Sequence, residues 1–235
     1  MAKKELITER VDMTGSKNEI KLTGSVVKKI FRGDNVAILT LAVREPNDEK
    51  VNYPDITFYG EDVIKSIDEG IVITDDSKPR VTVYGKIETS KKEYDGKPRY
   101  FQNFVGTQLE FAKTRMESLS GVEGIGAHRA IAENTACLIG RVVNVKEITD
   151  KDDKVIGTTL TVHTRTTDKN NTPKSNYPKV ACFGKTAATA ASFVENDVVC
   201  IVGKISTTRK LKESEGDKPV YHRYNSMFAI EIDKV

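Results

Sequence analysis

The sequence of 235 residues has no tryptophan, three cysteines and three histidines. Cys137, Cys182 and Cys200 lie in alternating apolar stretches without CxxC spacing, so we expect buried free thiols. The histidines are far apart along the chain, which leaves little from which to build a zinc site. We therefore expect no metal and no cofactor.

Long apolar runs are also missing from the sequence. A membrane-spanning helix needs about 18 consecutive apolar residues, and the sequence contains no such stretch. The start MAKKELITERVDM has no apolar core of signal-peptide length. We expect a cytoplasmic protein without membrane contact. Hydrophobic residues make up 38% and charged residues 30%, which suits small solvated domains. Since the net charge is only +3, attraction for polyanions would require clustered cations.

The usual signatures of catalysis are absent too. We find no GxSxG elbow, no P-loop and no arrangement of a His or Cys nucleophile. A nuclease would need clustered carboxylates to hold a metal. The acidic residues Asp75 and Asp76 and the run at 150–153 fall in turn-like stretches, where solvated loops are expected. We expect a protein that is not an enzyme.

The sequence does contain an internal repeat. GSVV at 24–27 corresponds to GRVV at 140–143, NYP at 52–54 recurs at 176–178, and VYGKI at 83–87 corresponds to IVGKI at 201–205. These matches occur in the same order, which predicts two domains. We place an N-terminal extension at 1–17, a first copy at 18–111, a linker without β-alternation at 112–132 and a second copy at 133–235.

Within each copy, apolar and β-branched residues alternate with the period of strands. We expect strands near 19–32, 35–44, 53–59, 80–91 and 99–111, then near 135–149, 155–167, 177–183, 198–210 and 219–232. Val81, Val83, Ile87, Leu109 and Phe111 should point inward. One helix follows each third strand, at 61–68 and 185–194. The predicted fold is all-β with minor helix, as two tandem OB-fold five-stranded β-barrels joined by a linker.

Aromatic residues recur at matching places in the two copies. Tyr53 and Tyr59 bracket the third strand of the first copy, and Tyr177 and Phe183 bracket that of the second. Side chains six residues apart on a strand share a face, and the residues between them do not form a core pattern. Further candidates near the start of the fifth strands are the aligned pair Tyr100 and Tyr221.

Cations cluster beside these rings and in the predicted hairpins. The candidates for phosphate contacts are Lys28, Arg44, Lys86, Lys91, Lys92, Arg99, Arg141, Arg165, Lys179, Lys204, Arg209 and Lys210. Flat rings for bases, together with cations for phosphates, are what a protein needs to hold an unpaired nucleic acid strand. The pattern therefore predicts largely sequence-independent binding of single-stranded DNA.

In the second copy, Tyr177 and Phe183 flank a stretch followed by Gly184 and Lys185 and then a helix, and the fourth strand continues from Gly203 to a Thr-Arg pair. With this pattern the second copy resembles the bacterial and phage single-stranded DNA-binding protein family. The resemblance covers roughly 18–111 and 133–233, and implies base stacking by Tyr177 and Phe183 and by their counterparts in the first copy. Lys92 and Lys210 stand where the family commonly has a tryptophan.

The resemblance also implies a biological setting. It favours replication, recombination or repair of phage, plasmid or chromosomal DNA in the cytoplasm of a bacterial host cell. Replication or recombination proteins are candidate partners, although the acidic-tipped tail with which the family recruits them is missing. Family assemblies usually display four OB folds, which predicts a homodimer, while linked sites would also let a monomer act. The alternative is an OB-fold accessory factor of a replication or conjugation assembly with weak DNA binding.

Overall fold

The computed structural model describes residues 15–44, 50–75, 78–94, 96–111, 116–118, 128–130, 133–167, 172–212 and 220–235. The predicted N-terminal extension lies outside these residues except at its last few positions. No helix in the described part of the chain is long and apolar enough to cross a membrane.

Five strands of the first copy close into a barrel. They are β1 (Lys17–Phe31), β2 (Val36–Ala42), β3 (Asp55–Tyr59), β4 (Arg80–Tyr94) and β5 (Lys97–Phe111). Around the barrel the order is β1, β2, β3, β5 and β4, and β4 pairs again with β1. The β3 and β5 strands run parallel, and the other neighbours are antiparallel. Helix α1 (Glu61–Gly70) follows β3, as predicted.

The predicted linker contains two short strands, β6 (Met116–Ser118) and β7 (His128–Ala130), which pair with each other. These strands were not predicted, and the role of residues 112–132 as a linker stays a prediction. Strands of three residues are too short for an alternation to be visible in the sequence. The other residues of this segment lie outside the described ones.

The second copy closes in the same way. Its elements are β8 (Asn134–Thr149), β9 (Val155–Thr167), β10 (Pro173–Asn176), β11 (Lys179–Cys182), helix α2 (Lys185–Ala191), β12 (Val198–Lys212) and β13 (Val220–Lys234). The barrel order is β8, β9, β11, β13 and β12, and β12 pairs again with β8. Strand β10, which was not predicted separately, pairs with β9 and with no other strand among the described residues. Both barrels thus have the predicted order of an OB fold.

The alternation along the strands separates the core from the surface as expected. Ile56, Phe58, Val180 and Cys182 are fully or almost fully buried, and so are the predicted inward residues of β4. Phe111 is an exception, because β5 carries it past the core and its ring lies against Gly70 instead. Its side chain is 56% exposed, so the prediction that it points inward is wrong.

The tyrosines of the two NYP motifs do not lie on the predicted third strands. β3 begins at Asp55 and β11 begins at Lys179, so that Tyr53 and Tyr177 each precede a proline just outside the strand. Proline has no backbone N–H to donate to a sheet. Asn52, just before Tyr53, forms an isolated antiparallel β-bridge with Val43. The backbone N–H of each tyrosine donates to a threonine of the other copy.

Two repeated glycines allow the barrels to close tightly. A Cβ atom at Gly85 would lie 2.2 Å from the carbonyl oxygen of Val105, and one at Gly203 would lie 2.2 Å from that of Phe228. A register shift falls at each of these glycines. Since no side chain fits at either position, the repeat of glycine has a steric reason.

The two barrels are joined by pairing of their first strands. Residues Lys17–Leu22 of β1 pair antiparallel with Asn134–Ile139 of β8. Ile20 lies opposite Ala136. Ile20 stands four residues before Gly24, and Ala136 stands four residues before the matching Gly140. Equivalent positions therefore face each other, and the copies are related by an approximate twofold axis at this point.

A buried asparagine repeats on each side of this axis. The amide nitrogen of Asn18 donates to the carbonyl of Ile87 and its amide oxygen accepts from the N–H of Ile87, both at 2.8 Å. Asn134 makes the same two bonds with Ile205, also at 2.8 Å. Each asparagine thus satisfies a backbone donor and acceptor that would otherwise be buried without partners.

The three cysteines are free thiols, as expected. Only Cys182 is fully buried, and burial raises its pKa to about 11. Cys137 and Cys200 are half-buried, so the prediction of burial holds for one residue of the three.

Replacing either asparagine should weaken the fold. We expect Asn18→Ala and Asn134→Ala each to lower the free energy of unfolding by about 2 to 4 kcal/mol, because each leaves a buried N–H and C=O unpaired. Urea denaturation measures the change. The exposed Asn144 provides the control, since Asn144→Ala should stay within about 0.5 kcal/mol. Losses no larger than the control's would contradict this account.

Candidate nucleic-acid interface

A groove of about 650 Å³ lies where the two copies meet. The first copy contributes Thr89, Ser90, Lys91, Tyr100, Phe101 and Gln102, and the second contributes Val143, Asn144, Thr161, Ser175, Tyr177 and Lys179. The groove therefore belongs to neither barrel alone. It brings together Tyr100, Tyr177, Lys91 and Lys179 of the residues predicted from the sequence.

The rings in this groove are accessible. Tyr100 is 64% exposed, Phe101 39% and Tyr177 45%. The ammonium of Lys179 in the second copy lies 6.0 Å from the centre of the Tyr100 ring in the first, and that of Lys92 lies 5.9 Å from the centre of the Phe101 ring. A cation thus lies near each of these two rings of the first copy.

Hydrogen bonds between the copies fix the backbone beside Tyr177. The N–H of Thr89 donates to Asn176 Oδ1 at 3.0 Å, and the N–H of Tyr177 donates to Thr89 Oγ1 at 2.9 Å. The N–H of Lys179 donates to Gln102 Oε1 at 2.8 Å. The position of Tyr177 is therefore set by the other copy.

The same pair of hydrogen bonds between an NYP motif and a threonine of the other copy, which we call a clasp, recurs on the opposite side of the twofold axis. The N–H of Thr207 donates to Asn52 Oδ1 at 3.1 Å, and the N–H of Tyr53 donates to Thr207 Oγ1 at 3.1 Å. Each NYP motif thus carries a tyrosine ring and also joins the two copies through hydrogen bonds of its asparagine and tyrosine. Tyr53 itself is half-buried.

Two of the aromatic residues predicted from the sequence stack on other rings of the second copy. The ring of Tyr177 stacks on His163, with centroids 4.9 Å apart and planes 14° apart. Phe183 stacks on Phe228 at 5.6 Å and 22°, and is 40% exposed. Tyr59, the counterpart of Phe183, is 54% exposed. Neither Phe183 nor Tyr59 lines the groove described above.

The strand registers correct one alignment made from the sequence. Tyr100 lies opposite Lys91, whereas Tyr221 lies opposite Leu211. The residue that matches Tyr100 in the second copy is Arg223, opposite Arg209, and not Tyr221. The second hairpin is longer than the first, which shifts Tyr221 outward along it. The side chains of Tyr221, Arg209 and Lys210 lie outside the described ones.

The remaining predicted cations differ in their surroundings. Lys28, Arg44, Lys91, Lys92, Arg99, Arg165 and Lys179 are exposed, while Lys86, Arg141 and Lys204 are half-buried. Lys86 donates to the carbonyl of Thr167 at 2.7 Å and lies 3.1 Å from Glu88 Oε1, and the other carboxylate oxygen of Glu88, Oε2, pairs with Lys174. Lys86 therefore links the two copies, and the phosphate contact predicted for it stays a prediction.

Several residues of the groove were not predicted from the sequence. Val143 and Thr161 come from β8 and β9, and His163 of β9 supports the groove residue Tyr177 from behind without lining the groove. His163 stands in an alternating strand pattern, and its contact with Tyr177 depends on the fold of the segment between them. Within the described residues, no three His, Cys, Asp or Glu side chains gather as metal ligands.

Comparison with known proteins identifies the fold. No protein-family model matches the sequence, and no curated protein matches it either. The wild-type single-stranded DNA binding protein of Thermus aquaticus matches with a TM-score of 0.58, covering 94% of this chain and 93% of that chain at 12% identity. A deletion mutant of that protein gives a TM-score of 0.57, covering 94% and 95%, again at 12% identity. The chain has the fold of these proteins. The predicted fold class is thereby confirmed.

The environment of His163 disfavours its protonated form. Burial lowers its pKa below the ordinary value of 6.5, and the positive charges of Arg165 and Arg141 lower it further. Its Nε2 lies 3.0 Å from Ser175 Oγ. The ring that stacks on Tyr177 is therefore neutral at pH 7.

An NMR titration of the His163 ring should give a midpoint below 6.5, with the signal assigned by its loss in His163→Gln. Replacing Arg165 by Gln should raise the midpoint, because one repelling charge is removed. The unfolded chain binds this proton more readily than the folded one, so stability should fall as the pH drops below about 6.5. A midpoint at or above 6.5 in the unaltered protein would contradict the structure.

Proposed function

We propose that this chain binds single-stranded DNA, largely without regard to sequence and without catalysing a reaction. The observation that carries the proposal is the groove between the copies. Tyr100, Phe101 and Tyr177 offer it ring faces that are about half exposed, and Lys91 and Lys179 offer it cations. Bases would stack on the rings while phosphates lie near the ammonium groups.

The groove suits an unpaired strand better than a duplex. A base in a duplex already stacks on its neighbours, so it has no face available for Tyr100 or Tyr177. An unpaired strand can place its bases against these rings, and stacking tolerates any base because every base has a flat face. The cations add an attraction that is independent of sequence and is weakened by salt.

The fold supports the same proposal. The two Thermus aquaticus structures are those of a single-stranded DNA binding protein, and they match nearly the whole chain. We propose that the chain protects and organises single strands during replication, recombination or repair of phage, plasmid or chromosomal DNA in a bacterial cytoplasm. Replication or recombination proteins would be its partners, and it would act as a monomer or as a homodimer with four barrels.

Titration with labelled oligothymidylate tests the proposal. We expect the single strand to bind at least about tenfold more tightly than a matched duplex. The logarithm of the binding constant should fall with the logarithm of salt concentration, with a slope of about −0.7 for each phosphate neutralised. Fluorescence anisotropy measures the affinity, and the mass of the complex shows whether one or two chains bind.

Three results would contradict the proposal. Equal affinity for strand and duplex, or affinity that does not respond to salt, would favour the accessory-factor role instead. Shortening of the labelled oligonucleotide on addition of Mg²⁺ would show that the chain is a nuclease.

A further inference from the structure

Gln102 uses only one half of its amide group to hold the second copy. It lies opposite Thr89 on the hairpin of β4 and β5, so the two side chains point to the same face. Thr89 accepts from the N–H of Tyr177, and the amide oxygen of Gln102 accepts from the N–H of Lys179 at 2.8 Å. The two residues together fix the backbone of the second copy on both sides of Pro178.

The bond to Lys179 determines which way the Gln102 amide faces. A backbone N–H can only donate, so the amide oxygen faces Lys179 and the NH2 group faces away from it. No described residue accepts a hydrogen bond from that NH2 group. Among the described side chains the one buried nitrogen or oxygen without a partner is Arg141 Nε, so the NH2 group of Gln102 is open to solvent. Its two donors are therefore available to a ligand.

These donors belong to the groove between the copies. Gln102 lines the groove together with Tyr100, Tyr177 and Lys179. Tyr100 stands two residues before Gln102 on β5, so both side chains point to the same face. Tyr177 stands two residues before Lys179, to which Gln102 bonds. The amide is thus anchored two residues from a ring of each copy, and a base stacked on either ring brings its edge towards it.

The orientation of the amide limits the base edges that it can bind. A glutamine with both halves free recognises adenine by donating to N7 and accepting from N6. The oxygen of Gln102 is turned to the second copy, so only its donors remain for a base. Donors bind the carbonyl oxygens of a base, whereas an exocyclic amino group, which also donates, gives them no acceptor.

Thymine and cytosine show the consequence clearly, because their rings are alike in size. Thymine has carbonyl oxygens on both sides of N3, so it offers an acceptor whichever way the stacked ring lies. Cytosine has a carbonyl oxygen on one side and an amino group on the other. Cytosine therefore satisfies the donors of Gln102 in only one of the two orientations.

We propose that Gln102 reads the bases held in the groove, by donating from its NH2 group to a carbonyl oxygen, and that the groove for this reason favours thymine over cytosine. The preference is modest because one hydrogen bond is involved, and most of the affinity still comes from the rings and cations. The proposal rests on the proposed function, and it names the side chain that makes binding depend on the base.

Oligonucleotides of about eight nucleotides, a length that one OB fold can cover, test the proposal on the full chain. We expect the unaltered protein to bind oligothymidylate about three- to tenfold more tightly than oligocytidylate, which is the effect of one hydrogen bond. Oligodeoxyuridylate should bind like oligothymidylate, because it keeps both carbonyl oxygens and lacks only the methyl group. Fluorescence anisotropy in a mildly alkaline buffer, where cytosine is neutral, measures the affinities.

Gln102→Glu exchanges the donor for an acceptor and keeps the bond between the copies. One carboxylate oxygen still accepts from the N–H of Lys179, and the other stands where the NH2 group was. The added negative charge should weaken binding of every oligonucleotide. The ratio of thymine affinity to cytosine affinity should fall below one, because only cytosine has an amino group to donate to the carboxylate. Gln102→Ala removes both halves of the amide and should bring the ratio close to one.

Gln108→Glu provides the matched control. Gln108 lies on the same strand, is exposed and does not line the groove. The same change of charge at that position should leave the ratio as it is in the unaltered protein. Thermal melting shows whether each variant folds, and the comparison of the three oligonucleotides on the unaltered protein needs no variant.

Equal affinity of the unaltered protein for thymine and cytosine would overturn the inference while single-stranded DNA binding stands. So would a ratio that Gln102→Glu and Gln102→Ala leave unchanged, since Gln102 would then only join the copies. Failure of the unaltered protein to prefer a single strand over a duplex would overturn the proposed function and this inference with it.

Discussion

The antiparallel pairing of β1 with β8 determines how the rest of the molecule is arranged. Because Ile20 meets its counterpart Ala136 there, the two barrels are related by an approximate twofold axis within one chain. Each NYP motif is thereby brought against the fourth strand of the other copy. Asn176 and Thr89 bond on one side of the axis, and Asn52 and Thr207 bond on the other. The two copies are therefore not independent domains in series, because each copy forms hydrogen bonds with the NYP motif of the other.

This arrangement explains why the groove is composite. The hairpin of the first copy supplies Tyr100 and Lys91, and the second copy supplies Tyr177 and Lys179. Backbone hydrogen bonds set the position of Tyr177, and a stacked histidine supports its ring, so the ring is fixed before any ligand arrives. Sites that are organised in advance lose less entropy on binding.

The sequence predicts the barrels well and the groove only in part. Alternation places Val81, Val83 and Ile87 inside, because successive side chains of a strand point to opposite faces and the face can therefore be read from the sequence alone. The repeat shows that the copies are alike, but it carries no information on how they dock. Tyr177 was therefore expected on a strand beside Phe183, whereas Pro178 and the clasp across the copies place it outside the strand, in a groove with Tyr100. Tyr221 was misaligned because hairpin length is set by turns, which alternation does not record.

The central claim is that a single strand lies in a groove to which both copies contribute. A crystal structure of the chain with bound oligothymidylate tests it most directly. The account predicts bases against both Tyr100 and Tyr177, with phosphates near Lys91 and Lys179. A strand confined to the outer surface of one barrel, with the groove between the copies empty, would contradict it.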